Sequence, residues 1–80
     1  MALVVFSSEL QLYTGEAETQ VKAEVYRDVV AELLSRYPRL EEEKLLEMAI
    51  AIDGEIIHDP LLEAVPSDSE LHFLYRISGG

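Results

Sequence analysis

Apolar residues recur along the middle of the chain with helical spacing. Tyr26, Val29, Val30, Leu33, Leu34 and Tyr37 stand at i, i+3, i+4, i+7, i+8 and i+11, one continuous face of a helix about three turns long. Arg27, Asp28, Glu32, Ser35 and Arg36 fall on the opposite face. Pro38 ends the helix, because it has no N–H for the ladder and disfavours helical geometry at Tyr37. No Ser, Thr or Asp stands at the start, so the sequence predicts a weak amino-terminal cap.

Strand signals flank this helix. Ala2-Leu-Val-Val-Phe6 is a short, β-branched apolar run that predicts a strand buried on at least one face. Ser7 and Ser8 end it. The chain up to Tyr13-Thr14-Gly15 is then read as a connecting loop, with Leu10, Leu12 and Tyr13 tucked under the domain edge. Thr19, Val21 and Ala23 alternate with Gln20, Lys22 and Glu24, which predicts a second, half-buried strand antiparallel to the first.

After the helix, Glu41-Glu42-Glu43 followed by Lys44-Leu45-Leu46 predicts a short second helix with acids at its positive end. Ala49 to Ile52, Asp53-Gly54 and Glu55 to His58 form a hairpin pattern. Asp-Gly tolerates the positive φ values of a type I′ turn. Asp59-Pro60 breaks the second arm, and Pro66-Ser67-Asp68-Ser69 is a turn cluster. In the last strand Leu71, Phe73, Tyr75 and Ile77 alternate with His72, Leu74 and Arg76. Leu71, Phe73 and Tyr75 are expected to face the helix, and His72, Leu74 and Arg76 to face away, with Leu74 an exposed apolar spot. The elements together predict an α+β domain, a mixed sheet of four to five strands packed on one main helix. The expected division is a domain over 1–77 and a flexible Ser-Gly-Gly tail over 78–80.

Composition narrows the function. Eighty residues allow one domain, and 49% hydrophobic content fits a folded one. So short a chain buries only a little over half of its unfolded surface, and its core is thin. With no cysteine, disulfide scaffolds, thiolate metal sites and cysteine nucleophiles are excluded. No apolar run approaches the roughly 18 residues of a membrane span, and the amino end lacks a secretory pattern, so a cytoplasmic location is expected. Six Lys+Arg against sixteen Asp+Glu give a formal net charge of −10. That balance disfavours nucleic acid and anionic membranes and favours a basic protein cleft, which opposite charge would steer.

Few residues offer chemistry. His58 and His72 have no metal-ligand spacing, so no metal is expected. The sequence has no nucleophile elbow and no glycine-rich phosphate loop. The glutamates Glu41, Glu42, Glu43 and Glu47 read as a solvated face. The Gly79-Gly80 pair differs. Two closing glycines arise by chance on the order of once in two hundred chains. Lacking Cβ atoms, they can lie flat in a channel too narrow for side chains and bring a carboxylate to an ATP α-phosphate.

The order of elements, the Asp53-Gly54 hairpin, the Ser67-Asp68-Ser69-Glu70 turn, the Tyr26-to-Pro38 segment ending in Arg36-Tyr37-Pro38, and Gly79-Gly80 together resemble the MoaD/ThiS family of ubiquitin-like sulfur carriers. The closest look is to the small subunit of molybdopterin synthase. The chain departs from that branch in having Tyr75-Arg76-Ile77-Ser78 before the glycines. The resemblance implies a β-grasp fold and a carrier rather than an enzyme. No bound cofactor is implied; ATP is used by a MoeB- or ThiF-like adenylating enzyme. Gly80 would be adenylated and converted to a thiocarboxylate, with Gly79 as spacer. His72, Leu74, Arg76, Ile77 and Ser78 would meet the partner, and a MoaE- or ThiG-like synthase subunit would accept the sulfur. A ubiquitin-like modifier joined to lysines through Gly80, or a non-reactive β-grasp interaction module, are the alternatives.

Overall fold

The computed structural model describes residues 1–75. The order is β1 (Ala2–Val5), α1 (Ser8–Thr14), β2 (Glu18–Val21), α2 (Tyr26–Arg36), α3 (Glu42–Leu46), β3 (Met48–Ile52), β4 (Glu55–Ile57) and β5 (Glu70–Tyr75). The five strands form one sheet in the order β2-β1-β5-β3-β4. β1 and β2 pair antiparallel, as do β3 and β4, and β5 enters between the two hairpins, parallel to β1 and antiparallel to β3. A mixed sheet with its last strand at the centre and one long helix across a face is the ubiquitin-like β-grasp arrangement.

The helical stripe forms α2 as its spacing predicts. Tyr26, Val29, Val30 and Leu33 are buried, as is Tyr37 at the helix end, while Leu34 is half-buried. They meet Ala2, Val4, Val21, Ile50, Ile52, Leu71 and Phe73 of the inner sheet face in one core. Phe6 sets its ring edge-on to Tyr37 at 5.5 Å and stacks on Phe73 at 6.3 Å, both favourable aromatic geometries. The weak cap of α2 is made good by tertiary contacts. The Tyr26 and Arg27 N–H groups donate to the Glu63 and Leu61 carbonyls, each at 2.9 Å. These loop carbonyls satisfy two of the donors that a helix start leaves unpaired.

The polar face of α2 also has a structural task. The Glu32 carboxylate accepts from the N–H groups of Lys22 and Ala23, and from Arg36 Nη2 at 2.8 Å. Arg36 Nη1 in turn donates to Thr19 Oγ1 and the Gln20 carbonyl. This pair ties the helix to β2 and the connection after it.

Two expectations are corrected. The segment after Ser7 is a helix, not a loop. The Ser7 hydroxyl accepts from the Leu10 N–H as an N-cap, and Gly15 closes α1 in the left-handed region at φ 72°. Leu10 is fully buried beneath it, but Leu12, expected to tuck in, is 74% exposed. At the other end, Tyr75 is 66% exposed although it shares the inward alternation of Leu71 and Phe73. It lies at the end of β5, opposite Met48, and its hydroxyl donates to Glu9 of α1 at 3.1 Å instead of entering the core.

Candidate functional site

The hairpin turn between β3 and β4 builds one side of the site. Asp53 and Gly54 take φ of 50° and 87°, the left-handed conformations that a type I′ turn requires. The turn is tied to the start of β5, because the Glu70 N–H donates to Asp53 Oδ1 at 2.9 Å. From there β5 runs along β3 with His72 opposite Ala51 and Leu74 opposite Ala49. Side chains alternate in this strand: Leu71 and Phe73 are buried on the helix side, and His72 and Leu74 stand on the other.

Register extends that outer face across the sheet. Val5 of β1 lies beside His72, Leu3 beside Glu70, and Ile56 of β4 beside Ala51. Ile56 is 58% exposed. Leu3, Val5, Leu74 and Ile56 therefore form a broken apolar surface around His72, with the alanines of β3 between them. A shallow depression lined by Ala51, Asp53, Gly54, Glu70, His72 and Leu74 marks its centre. His72 Nε2 lies 2.8 Å from Glu70 Oε1, and both residues line the depression. Leu74, expected to be exposed, is half-buried because its neighbours on this face flank it.

Of the residues singled out in the sequence, the structure thus brings His72 and Leu74 together on the outer face of β5. Arg76, Ile77, Ser78, Gly79 and Gly80 lie outside the described residues. Sequence reasoning missed Leu3, Val5, Ile56 and the two alanines as parts of this face. The alternations within Ala2–Val5 and within Ala49–Ile52 are the local signals for Leu3, Val5 and the alanines, and the assembly of the face depends on strand order. Among the described residues, no cluster of three His, Asp or Glu side chains could hold a metal ion, and no helix is long and apolar enough to cross a membrane.

Two tyrosines whose hydroxyls bond carboxylates have their pKa values raised. The hydrogen bond to Glu9 raises the Tyr75 pKa. Burial, then the bond its hydroxyl gives to Glu16, raises that of Tyr37.

No family profile and no curated protein matches the sequence. Solved structures do match in fold. A chain of the BexX/CysO complex from Amycolatopsis orientalis superposes with a TM-score of 0.78 at 20% identity, covering 100% of both chains. The small archaeal modifier protein 1 from Methanosarcina acetivorans gives 0.75 at 23% identity, over 99% of this chain and 95% of that one. A Pyrococcus furiosus protein assigned as molybdopterin converting factor, subunit 1, gives 0.69 at 16% identity, over 95% and 97%. The fold is therefore that of the ubiquitin-like β-grasp proteins, shared over nearly the whole length of each neighbour. These structural neighbours bear the names of a BexX/CysO complex, a small archaeal modifier protein and a molybdopterin converting factor subunit.

Proposed function

We propose that this protein is a sulfur carrier of the MoaD/ThiS type, activated at Gly80. The observation that carries the reading is the joining of two features. The fold matches that of a molybdopterin converting factor subunit over almost the whole chain, and the central strand β5 is followed in sequence by Gly79-Gly80. In this reading a MoeB- or ThiF-like enzyme binds the chain and ATP. The Gly80 carboxylate oxygen attacks the α-phosphorus, a phosphoanhydride bond breaks, and pyrophosphate leaves. A hydrosulfide nucleophile then adds to the acyl carbon and expels AMP, leaving a thiocarboxylate. The carrier supplies no general acid or base of its own. Its contribution is a stable grip and a narrow end, since glycine has no Cβ to meet the walls of a channel. His72, Leu74, Arg76, Ile77 and Ser78 are the proposed contacts to the activating enzyme, with a MoaE- or ThiG-like subunit as sulfur acceptor. The absence of cysteine leaves no thiol on this chain to capture the sulfur by exchange.

ATP–pyrophosphate exchange tests the reading. The full chain should support exchange with such an enzyme, Gly79→Ala should impair it, and deletion of Gly80 should abolish it. Undiminished exchange without Gly80 would overturn the mechanism. A second reading, conjugation of Gly80 to lysine amines, gains support from the likeness to a small archaeal modifier protein. A ladder of heavier conjugates on blots of cell extract would favour it over the carrier reading.

A further inference from the structure

Strand β5 outlasts one of its two neighbours. β1 pairs with it only as far as Val5 opposite His72, whereas β3 stays paired through Met48 opposite Tyr75. Past His72, contacts come instead from the corner where β1 turns into α1. Phe6, the residue before the Ser7 cap, stacks on Phe73 at 6.3 Å. Three residues further on, Glu9 accepts a hydrogen bond from the Tyr75 hydroxyl at 3.1 Å. One corner thus follows the last residues of β5 with an apolar contact and a polar one.

Glu9 is a firm anchor. The Ser7 hydroxyl and Gly15 close the two ends of α1, Leu10 beside Glu9 is fully buried, and Gln11 Nε2 donates to the Phe6 carbonyl. Tyr75 is mostly exposed, so burial does little to hold its ring, and the bond to Glu9 restrains it instead. Tyr75 stands five positions before Gly80. Five residues span at most about 17 Å, so the place where β5 ends bounds the volume that the terminal carboxylate can reach. Glu9 also lies in the first turn of α1, where the helix dipole favours an acid. That role needs the charge and not Tyr75.

We propose that Glu9 and Tyr75 are positioning residues for activation at Gly80, their hydrogen bond clamping the end of β5 to α1 while the enzyme takes the terminal carboxylate. This role rests on the carrier reading above. Both residues act through the chain between Tyr75 and Gly80, and neither is catalytic. Without the clamp, the end of β5 can leave β3, and each residue so released must be ordered again before reaction, at an entropic cost. The sheet face docks without the clamp, so the cost falls on the step after docking.

Pyrophosphate exchange with a MoeB- or ThiF-like enzyme, beside backbone nitrogen relaxation of the full free chain, tests the clamp. Tyr75→Phe and Glu9→Ala should each lower kcat about three- to tenfold, the loss of one hydrogen bond, with little change in KM for the chain. Each should also lower the order parameter of the amide at position 75. The double variant should be no worse than either single one, because both remove the same bond. Glu9→Gln removes the charge but keeps an acceptor for the phenol, and should retain most of the parent kcat. The clamp is overturned if the parent exchanges and Tyr75→Phe keeps its full kcat, or if the effects of the two substitutions multiply. Glu9→Gln as impaired as Glu9→Ala, or an unchanged order parameter at position 75, overturns it as well. A parent chain that supports no exchange overturns the carrier reading, and the positioning role with it.

Discussion

Asp53 and Glu70 hold each other by reciprocal hydrogen bonds. The Asp53 N–H donates to the Glu70 carbonyl, and the Glu70 N–H donates to Asp53 Oδ1, both at 2.9 Å. One residue thus fixes the hairpin turn and the start of the strand that leads toward Gly79-Gly80. Asp53 also holds φ at 50°, where Asp and Asn are tolerated better than other side chains. Asp53→Ala removes the acceptor and keeps the strained backbone, so urea unfolding should show a loss of about 1–3 kcal/mol. Asp53→Asn, which keeps both features, should lose less than half as much. Equal stability of the alanine variant and the parent would show that the pair does not hold the turn.

The helix assignment is tested inside the core. Val30 and Leu33 are 4% and 0% exposed, and among the described residues they belong to a core cluster of apolar side chains. Val30→Asp or Leu33→Asp should cost several kcal/mol, close to the whole stability of a small domain. Circular dichroism should report an unfolded or strongly destabilised chain at room temperature.

Tyr26 links stability to pH. Its pKa is raised by burial above the ordinary 10.0, so the folded state holds the phenolic proton more tightly than the unfolded chain. The resulting stability is fully present below pH 10 and is lost as pH rises beyond it. Thermal melts between pH 8 and pH 11 should therefore show a falling Tm. Tyr26→Phe should flatten that fall, and at pH 7 it should gain about 1 kcal/mol, because a buried hydroxyl with no hydrogen-bond partner among the described residues is removed. A variant less stable than the parent at pH 7 would show that the hydroxyl is paired in solution.

Leu74 tests the partner surface. Leu74→Glu places a charge on the apolar outer face and removes an anchor whose burial is worth about 1–3 kcal/mol, so affinity for the activating enzyme should drop at least about tenfold. The residue is half-buried, so a moderate drop in Tm is expected with the fold retained. Calorimetric titration beside a melting curve separates the two effects. Unchanged affinity would remove Leu74 from the interface.

Much of this architecture was legible because local and tertiary demands coincide. The stripe from Tyr26 to Tyr37 and the Asp53-Gly54 turn each name their structure by spacing or by backbone chemistry. α1 was missed because only Leu10 of its short segment is fully buried, leaving no stripe to read. Ser7 and Gly15 were the available signs. The cap of α2 was not legible at all, since it is made by the carbonyls of Leu61 and Glu63, far along the chain. Alternation placed Leu74 and His72 on the outer face correctly. It could not show that Tyr75 passes beyond the core toward Glu9, because period two gives the face of a residue and not what covers it. The outer face itself joins residues of four strands whose order only the fold reveals.

The central claim concerns one atom at Gly80. Intact-mass spectrometry of the full chain, after incubation with ATP, hydrosulfide and a MoeB- or ThiF-like enzyme that binds it, tests that claim most directly. The account predicts a gain equal to the replacement of one oxygen by sulfur, mapped by fragmentation to Gly80 and absent when ATP is withheld. A mass that stays unchanged while ATP is present, or a sulfur gain mapped to any other residue, would contradict it.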